Sequence, residues 1–192
     1  MDRELFVQKH QKMHRLRSEP DKSVSLYIGA ENWPFPIPLV EENGAWRFDS
    51  DAGQKEVLFR RIGENELIAI ANCQEFVAAE KRYRAESNIG GSTDSSPASL
   101  VAKAASGSDS GNPVLFHGYY FRLLPMGRAK GRAPDGFSLI AYPAEYRSSG
   151  VMTFTVTKNG VVYEKDLGPN TAALASAMAV FHKDTTWHVA NE

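Results

Sequence analysis

Cysteine is nearly absent from this chain, since Cys73 is the only one among 192 residues. A single cysteine excludes an internal disulfide, and it excludes a zinc site built from several cysteines. A chain of this length can bury a sizeable core without covalent cross-links. Cys73 lies on the apolar stripe of a predicted helix, so we expect a buried structural thiol and not a reactive one.

The chain also lacks a surplus of charge and a long apolar run. Its 22 basic and 23 acidic residues nearly cancel, whereas binding to nucleic acid or to anionic membranes depends on a basic surplus. No stretch reaches the about 18 apolar residues of a membrane span. Residues 1–18 are too charged for the core of a signal peptide. We expect no nucleic-acid partner and no span, and either a cytoplasmic protein or one whose export signal is missing from this sequence.

No familiar catalytic or metal-binding motif is present. The chain has no GxSxG elbow, which a hydrolytic serine would require in many folds. His10 and His14 would share a helix face, but Lys9, Lys12 and Arg15 around them would repel a cation. The sequence therefore predicts no metal and no cofactor, and by itself it predicts no reaction.

Two residues keep an enzymatic alternative open. Glu145 lies between Tyr142 and Tyr146, and His117 precedes a glycine on a predicted strand. A hydrolytic enzyme could use Glu145 or His117 as an acid–base group. An ion pair for Glu145 and packing for His117 explain both residues without catalysis.

Two charged clusters also have structural explanations. Glu64 and Glu66 follow Arg60 and Arg61 along a predicted helix, so we expect ion pairs on the helix surface. Residues 127–132 form a basic, glycine-rich loop that could hold a phosphate. That loop lacks the P-loop pattern and no helix start follows it, which favours a solvated hairpin loop.

Hairpin signals are the strongest pattern in the chain. Residues 151–157 and 161–165 alternate on either side of Asn159-Gly160, which predicts a tight type I′ turn. A second signal, Asn43-Gly44, separates two further alternating segments. The sequence therefore predicts a fold that is rich in β-hairpins and is not built from β-α-β units.

Pairing across the Asn159-Gly160 turn predicts which side chains share a face. Phe154 and Val156 are expected on the face of Val161 and Tyr163, against a long helix. The threonines at alternate positions would then lie nearer solvent.

The remaining elements follow from helical period or alternation. We predict helices over 2–17, from Asp49 or Ser50 to 62, over 64–86 and over 171–181, strands over 24–28, 114–124 and 137–142, and a flexible loop over 88–113. Gly63 should interrupt the helical pattern. The fold class is α+β: a helix and hairpin unit at 1–62, then a long helix packed on an antiparallel sheet at 63–192, with a C-terminal helix.

Several blocks of sequence resemble one bacterial family. They are ENWPFPIPLV, WRFD, RRIGENELIAIANC, HGYYFRLL, AYPAEYRSSGVMTF and GVVYEKDLGPNTA, and they are similar to the domain of unknown function 2950 family. The resemblance implies an exported, envelope-associated protein without an established activity. By this resemblance we expect most of the family's N-terminal region, including the signal peptide, to be missing from this sequence, and the segment at 88–112 to be shorter than the usual one.

Two weaker resemblances concern the fold. The first part is similar to the end of the nuclear-transport-factor-like cone fold. The second part looks like the soluble head of type IV pilins and pseudopilins, in which a helix crosses a small antiparallel sheet. The apolar segment that pilins carry on that helix is replaced here by Arg60, Arg61 and Glu64, so filament assembly by membrane extraction is excluded.

These observations favour a non-enzymatic interaction or scaffold module whose partner is another envelope protein. The alternative is a binder of small ligands or peptides that uses an aromatic pocket. The binding residues that we predict for it are Trp33, Phe35, Tyr119, Tyr142, Glu145 and Tyr146.

Overall fold

The computed structural model describes residues 2–86, 113–125 and 137–190. Within them, α-helices and two antiparallel sheets form an α+β fold, as the sequence predicts. The chain divides into two units, Met1–Arg60 and Arg61–Glu192. Most of the predicted loop at 88–113 and all of the basic loop at 127–132 lie outside the described residues.

The first unit opens with a helix that is shorter than predicted. Helix α1 spans Arg3–Lys12. Asp2 caps its N-terminus, since the Asp2 carboxylate accepts a hydrogen bond from Leu5 N at 2.9 Å. The prediction of a helix to residue 17 is wrong, because His14–Ser18 forms strand β1. β1 pairs along its whole length with the next strand. Its alternation of arginine with other residues fits a strand, and tertiary pairing overrides the helical pattern.

The first sheet has the order β1-β2-β4-β5, with β3 also paired to β2. Its further strands are β2 Val24–Ile28, β3 Trp33–Pro34, β4 Leu39–Glu42 and β5 Ala45–Phe48. Asn43 and Gly44 have φ of 54° and 77° in the turn between β4 and β5, which confirms the predicted hairpin.

Helix α2, Ser50–Glu86, is continuous. Asp49 caps it by accepting a hydrogen bond from Ala52 N at 3.1 Å, in agreement with one of the two predicted caps. The predicted interruption at Gly63 is wrong. A helical glycine costs only about 1 kcal/mol relative to alanine, and strong helix formers on both sides outweigh that cost.

The second unit contains a six-stranded antiparallel sheet in the order β11-β10-β9-β8-β7-β6. Its strands are β6 Val114–Phe116, β7 Tyr119–Pro125, β8 Phe137–Pro143, β9 Met152–Thr157, β10 Val162–Asp166 and β11 His188–Val189. The single strand predicted over 114–124 is wrong. His117 and Gly118 have φ of 44° and 73° and turn the chain back on itself, so β6 and β7 form a hairpin.

The hairpin of β9 and β10 exists, but its predicted turn and register are wrong. Asn159 has no positive φ, whereas Gly160 has φ of 82° and donates from its N to Thr157 O at 2.9 Å. Val162 pairs with Val156, so Val162 shares the face of Phe154. Because side chains alternate along a strand, a register shift of one residue exchanges the two faces.

Both faces of the second sheet are packed. On one face, α2 contributes Ala69, Ile70, Cys73, Phe76 and Val77, which pack with buried residues of the sheet that include Phe154, Val156 and Val162. Helical spacing predicts one apolar stripe that contains Ile70, Cys73 and Val77 and is widened by Leu67. The first three are buried, which confirms the stripe, but Leu67 is 59% exposed. The other face carries a second cluster of Leu124, Ile140, Tyr142 and Ala175.

Helix α3, Thr171–Ala177, covers that second cluster and ends earlier than residue 181. Helical spacing over 171–181 predicts that Leu174 faces inward, but this side chain is 50% exposed. Arg122 binds the end of the helix, donating from Nη2 to Ala175 O at 2.7 Å and to Met178 O at 2.8 Å. A guanidinium that satisfies the free carbonyls stabilises this early helix end.

The buried thiol of Cys73 is expected to make the second unit less stable at alkaline pH. Burial raises the pKa of the thiol to about 12, whereas an unfolded cysteine titrates near about 8.5. The unfolded chain therefore loses this proton first, and the free energy of unfolding should fall as pH rises above about 8.5. The free energy of unfolding, measured by urea denaturation at several pH values from 8 to 10.5, should fall less steeply with pH for Cys73→Ala than for the natural chain. Equal slopes would contradict a buried thiol at this position.

Candidate functional site

Four aromatic rings lie together in the first unit, and we call them the aromatic cluster: Phe6, Trp33, Phe35 and Phe48. Phe35 is at its centre, with ring centroids 5.5 Å from Phe6, 6.3 Å from Trp33 and 5.8 Å from Phe48. The rings meet tilted or edge to face, the geometry that aromatic pairs prefer. Helix α1, the segment after β3 and strand β5 thus meet at one point.

The strand register places this cluster on the apolar face of the first sheet. Phe48 pairs with Leu39, Leu39 with Val24, and Ile28 with Trp33, so all of these side chains share one face. The same face carries Leu16, Leu26 and Trp46. The opposite face carries Arg15, Arg17, Ser25, Glu42 and Arg47.

The centre of the apolar face is covered and its edges are open. Leu26 and Ile28 are buried, but Trp46 is 53% exposed and Phe48 is 49% exposed. Leu16, on the edge strand β1, is also exposed. Large exposed aromatic side chains on one face are a feature of binding surfaces.

Arg60 fixes the position of Trp33. Its guanidinium lies 5.5 Å from the centroid of the Trp33 ring. Its Nη1 donates to Pro34 O at 2.7 Å, and its Nε donates to Glu56 at 2.7 Å. The arginine side chain therefore links residues 33–38, which we call the WPFPIP segment, to the first turns of α2. Trp33 and Phe35, two of the predicted binding residues, are half-buried in this arrangement.

Tyr119 and Tyr142, also predicted as binding residues, lie in the core of the second unit. Tyr119 is 0% exposed and donates from its hydroxyl to Met152 O at 2.9 Å. Tyr142 is 3% exposed, with its hydroxyl 3.4 Å from Ser176 Oγ. Burial raises the pKa of Tyr119, and the Glu66 carboxylate adds to that shift. Both side chains are therefore packed in the core.

Glu145 and Tyr146 lie on the loop between β8 and β9. Glu145 is exposed, and Tyr146 donates from its hydroxyl to Asp166 Oδ2 at 3.1 Å. His117 is exposed on the neighbouring turn, where Ala144 N donates to Gly118 O at 2.9 Å. Within the described part of the chain, no hydrogen bond or ion pair joins the side chains of Glu145 and His117. The geometry therefore adds no support to a hydrolytic pair.

Glu66 has a role that the sequence did not reveal. Its Oε1 accepts hydrogen bonds from Val151 N at 2.8 Å and from Met152 N at 3.0 Å. The neighbouring Asn65 donates from Nδ2 to Ser149 O at 2.8 Å. These contacts hold the start of β9 against α2. Helical spacing suggested a surface ion pair for Glu66, and nothing in the local pattern indicates a partner 85 residues away.

Glu164 is a second carboxylate in an unusual environment. Burial raises its pKa, the charge of Glu66 raises it further, and His188 on the paired strand opposes the shift. Two carboxylates of unequal environment are an arrangement found in acid–base sites. Here Glu66 is already engaged by backbone N–H groups, which gives the pair a structural role.

Among residues 2–86, 113–125 and 137–190, no group of three or more His, Cys, Asp or Glu side chains is placed to hold a metal ion. No helix within the same ranges has both the length and the apolar character needed to cross a bilayer.

Comparison with known proteins identifies a family. Neither a search of curated proteins nor a search of solved structures finds a match to this chain. The sequence profile of the family described as Protein of unknown function (DUF2950) matches residues 1–94 and 89–190. These two matches span nearly the whole chain. The chain therefore belongs to the DUF2950 family of proteins of unknown function.

Proposed function

We propose that this protein is a non-enzymatic interaction module of the bacterial envelope, and that it binds a partner protein through the apolar face of its first sheet. The observation that carries the proposal is the open edge of that face, where Trp46 and Phe48 are about half exposed beside Phe35. Exposed aromatic anchors supply most of the binding energy in many protein interfaces.

The surroundings of these anchors resemble the anatomy of an interface. Apolar side chains occupy the middle, and Glu41, which is exposed and lies directly opposite Trp46 on the paired strand, adds a charged group on the same face. An apolar centre with a charged rim is the usual composition of a specific protein–protein contact. A partner with a complementary apolar patch would bury Trp46 and Phe48 together.

The second unit fits the role of a scaffold. Both faces of its sheet are packed, one by α2 and the other by α3 and the chain after it. The proposed likeness to pilin heads belongs here, and it is supported by the packing of residues 69–77 of α2 on the sheet. Envelope location rests on the family resemblance alone.

Site-specific photocross-linking in the bacterial host tests the proposal. A benzophenone side chain at Trp46 should give an adduct with one partner protein from the envelope fraction, because this position points from the apolar face. The matched control is Arg47, which is exposed on the same strand but points to the opposite face. We expect at least about fivefold more adduct at position 46, a difference of about 1 kcal/mol in occupancy.

Equal yields at both positions would contradict the proposed surface. An adduct of twice the chain mass would show that the partner is a second copy of this chain. Loss of a hydrolytic activity on mutation of one polar residue would contradict the non-enzymatic part of the proposal.

A further inference from the structure

A groove of about 360 Å³ lies in the first unit, within the size range of ligand sites. It is lined by Ser23, Ser25, Pro34, Phe35, Pro36, Pro38, Ala52, Glu56 and Arg60. The prolines and Phe35 come from the WPFPIP segment, and the last three residues come from the first turns of α2. Ser25 comes from strand β2, on the face opposite Trp46 and Phe48. The groove is therefore a different surface from the one proposed to bind a protein partner, and only Phe35 belongs to both.

The wall formed by the WPFPIP segment is apolar and held in place. Phe35 N donates to Leu26 O at 2.7 Å, and Pro38 O accepts from Asp49 N at 2.9 Å. Ile37 packs against Gly53, where a β-carbon would lie 2.7 Å from Ile37 Cγ1. Proline rings cannot rotate about φ, so this wall is formed before any ligand arrives.

The opposite wall is polar but carries no net charge. Glu56 and Arg60 pair at 2.7 Å, one helical turn apart, and both remain partly exposed. An anionic or cationic ligand would have to break this pair, whereas a neutral ligand can bind beside it. The charge balance therefore favours a neutral occupant.

The polar groups of the groove include both donors and acceptors, because Arg60 carries N–H groups and the serine hydroxyls can do either. Proline has no N–H, and the carbonyls of Pro34 and Pro38 already accept from Arg60 Nη1 and Asp49 N. The carboxylate of Glu56 only accepts, and Ser25 can do either. A good ligand must then carry groups that both donate and accept hydrogen bonds on a compact body with an apolar side. A sugar ring has this chemistry, with hydroxyls at its rim and C–H groups on its faces.

We propose that this groove binds a neutral saccharide of one or two rings. The C–H face of a ring packs on Phe35 and Pro36, and its hydroxyls donate to Glu56 and to Ser25. This site does not depend on the proposed protein partner, and either can fail without the other.

Saturation-transfer NMR and calorimetry on the full chain test the proposal, with cellobiose, maltose and the β-1,4 dimer of N-acetylglucosamine as probes. At least one of them should bind, and Glu56→Gln should weaken it about tenfold, the equivalent of one charged hydrogen bond. Ser25→Ala, a second variant in the groove, should weaken binding by a smaller factor. The matched control is Glu42→Gln, because Glu42 also pairs with an arginine but lies outside the groove.

Three results would overturn the saccharide site. They are no binding by any of the three sugars to a folded chain, equal weakening by Glu56→Gln and Glu42→Gln, and binding of a polyproline hexapeptide without binding of sugars. Trp46→Ser should leave sugar affinity unchanged because Trp46 does not line the groove, so the two proposals are tested separately.

Discussion

Replacing Gly150 with alanine is expected to destabilise the second unit by about 3 kcal/mol, at the upper end of the usual cost of overpacking a core. A β-carbon on Gly150 would lie 2.5 Å from Tyr119 Cζ and closer still to the hydroxyl oxygen. Tyr119 is fully buried and its hydroxyl donates to Met152 O, so the ring cannot move aside. The φ of Gly150 is not left-handed, so the expected cost is steric alone.

The matched control is Gly63→Ala. Nothing lies within 4 Å of a β-carbon at position 63, and the residue is inside α2. Alanine should therefore stabilise the helix by about 0.5–1 kcal/mol. Urea denaturation followed by the reactivity of the Cys73 thiol measures both variants, because that thiol is buried in the same unit. Similar stability for the two variants would show that Gly150 does not approach Tyr119.

Replacing Glu66 with alanine should cost about 2–3 kcal/mol, since it removes a charged acceptor and leaves two backbone donors without it. Val151 N and Met152 N both donate to Glu66 Oε1. The side chain is partly exposed, and water can replace part of the loss, which keeps the expected cost below that of a fully buried pair.

The conservative variant separates hydrogen bonding from packing. Glu66→Gln retains an oxygen acceptor at the same position, so it should cost about 1 kcal/mol. Hydrogen exchange should show the difference at the start of β9, with faster exchange of the Val151 and Met152 amides in Glu66→Ala. An unchanged exchange rate at these two amides would contradict the role assigned to Glu66.

Much of the local structure could be predicted because it depends on short-range signals. The turn at Asn43-Gly44 needs two residues with positive φ, and asparagine and glycine provide them at low cost. The burial of Ile70, Cys73 and Val77 follows from their helical spacing. The turn at His117-Gly118 was missed because His-Gly is not among the pairs, such as Asn-Gly and Asp-Gly, that usually indicate a two-residue hairpin turn.

The predicted binding residues lie in different surroundings, because exposure depends on the rest of the fold. Trp33 and Phe35 lie in the aromatic cluster, but the same aromatic character placed Tyr119 and Tyr142 in a core. Trp46 shares its strand face with Phe48, yet the sequence had no information on whether another element would cover that face.

By itself, the sequence determined that this chain is an α+β protein with antiparallel hairpins, without an internal disulfide and of the DUF2950 family. The tertiary structure decided the register of the hairpin around Gly160, the continuity of α2 and the hydrogen bonds by which Glu66 holds the start of β9. The physical reason is that these features depend on differences of about 1–3 kcal/mol between alternatives that local pattern leaves nearly equal. Contacts between residues far apart in the chain resolve them, as the bonds from Glu66 to Val151 and Met152 show.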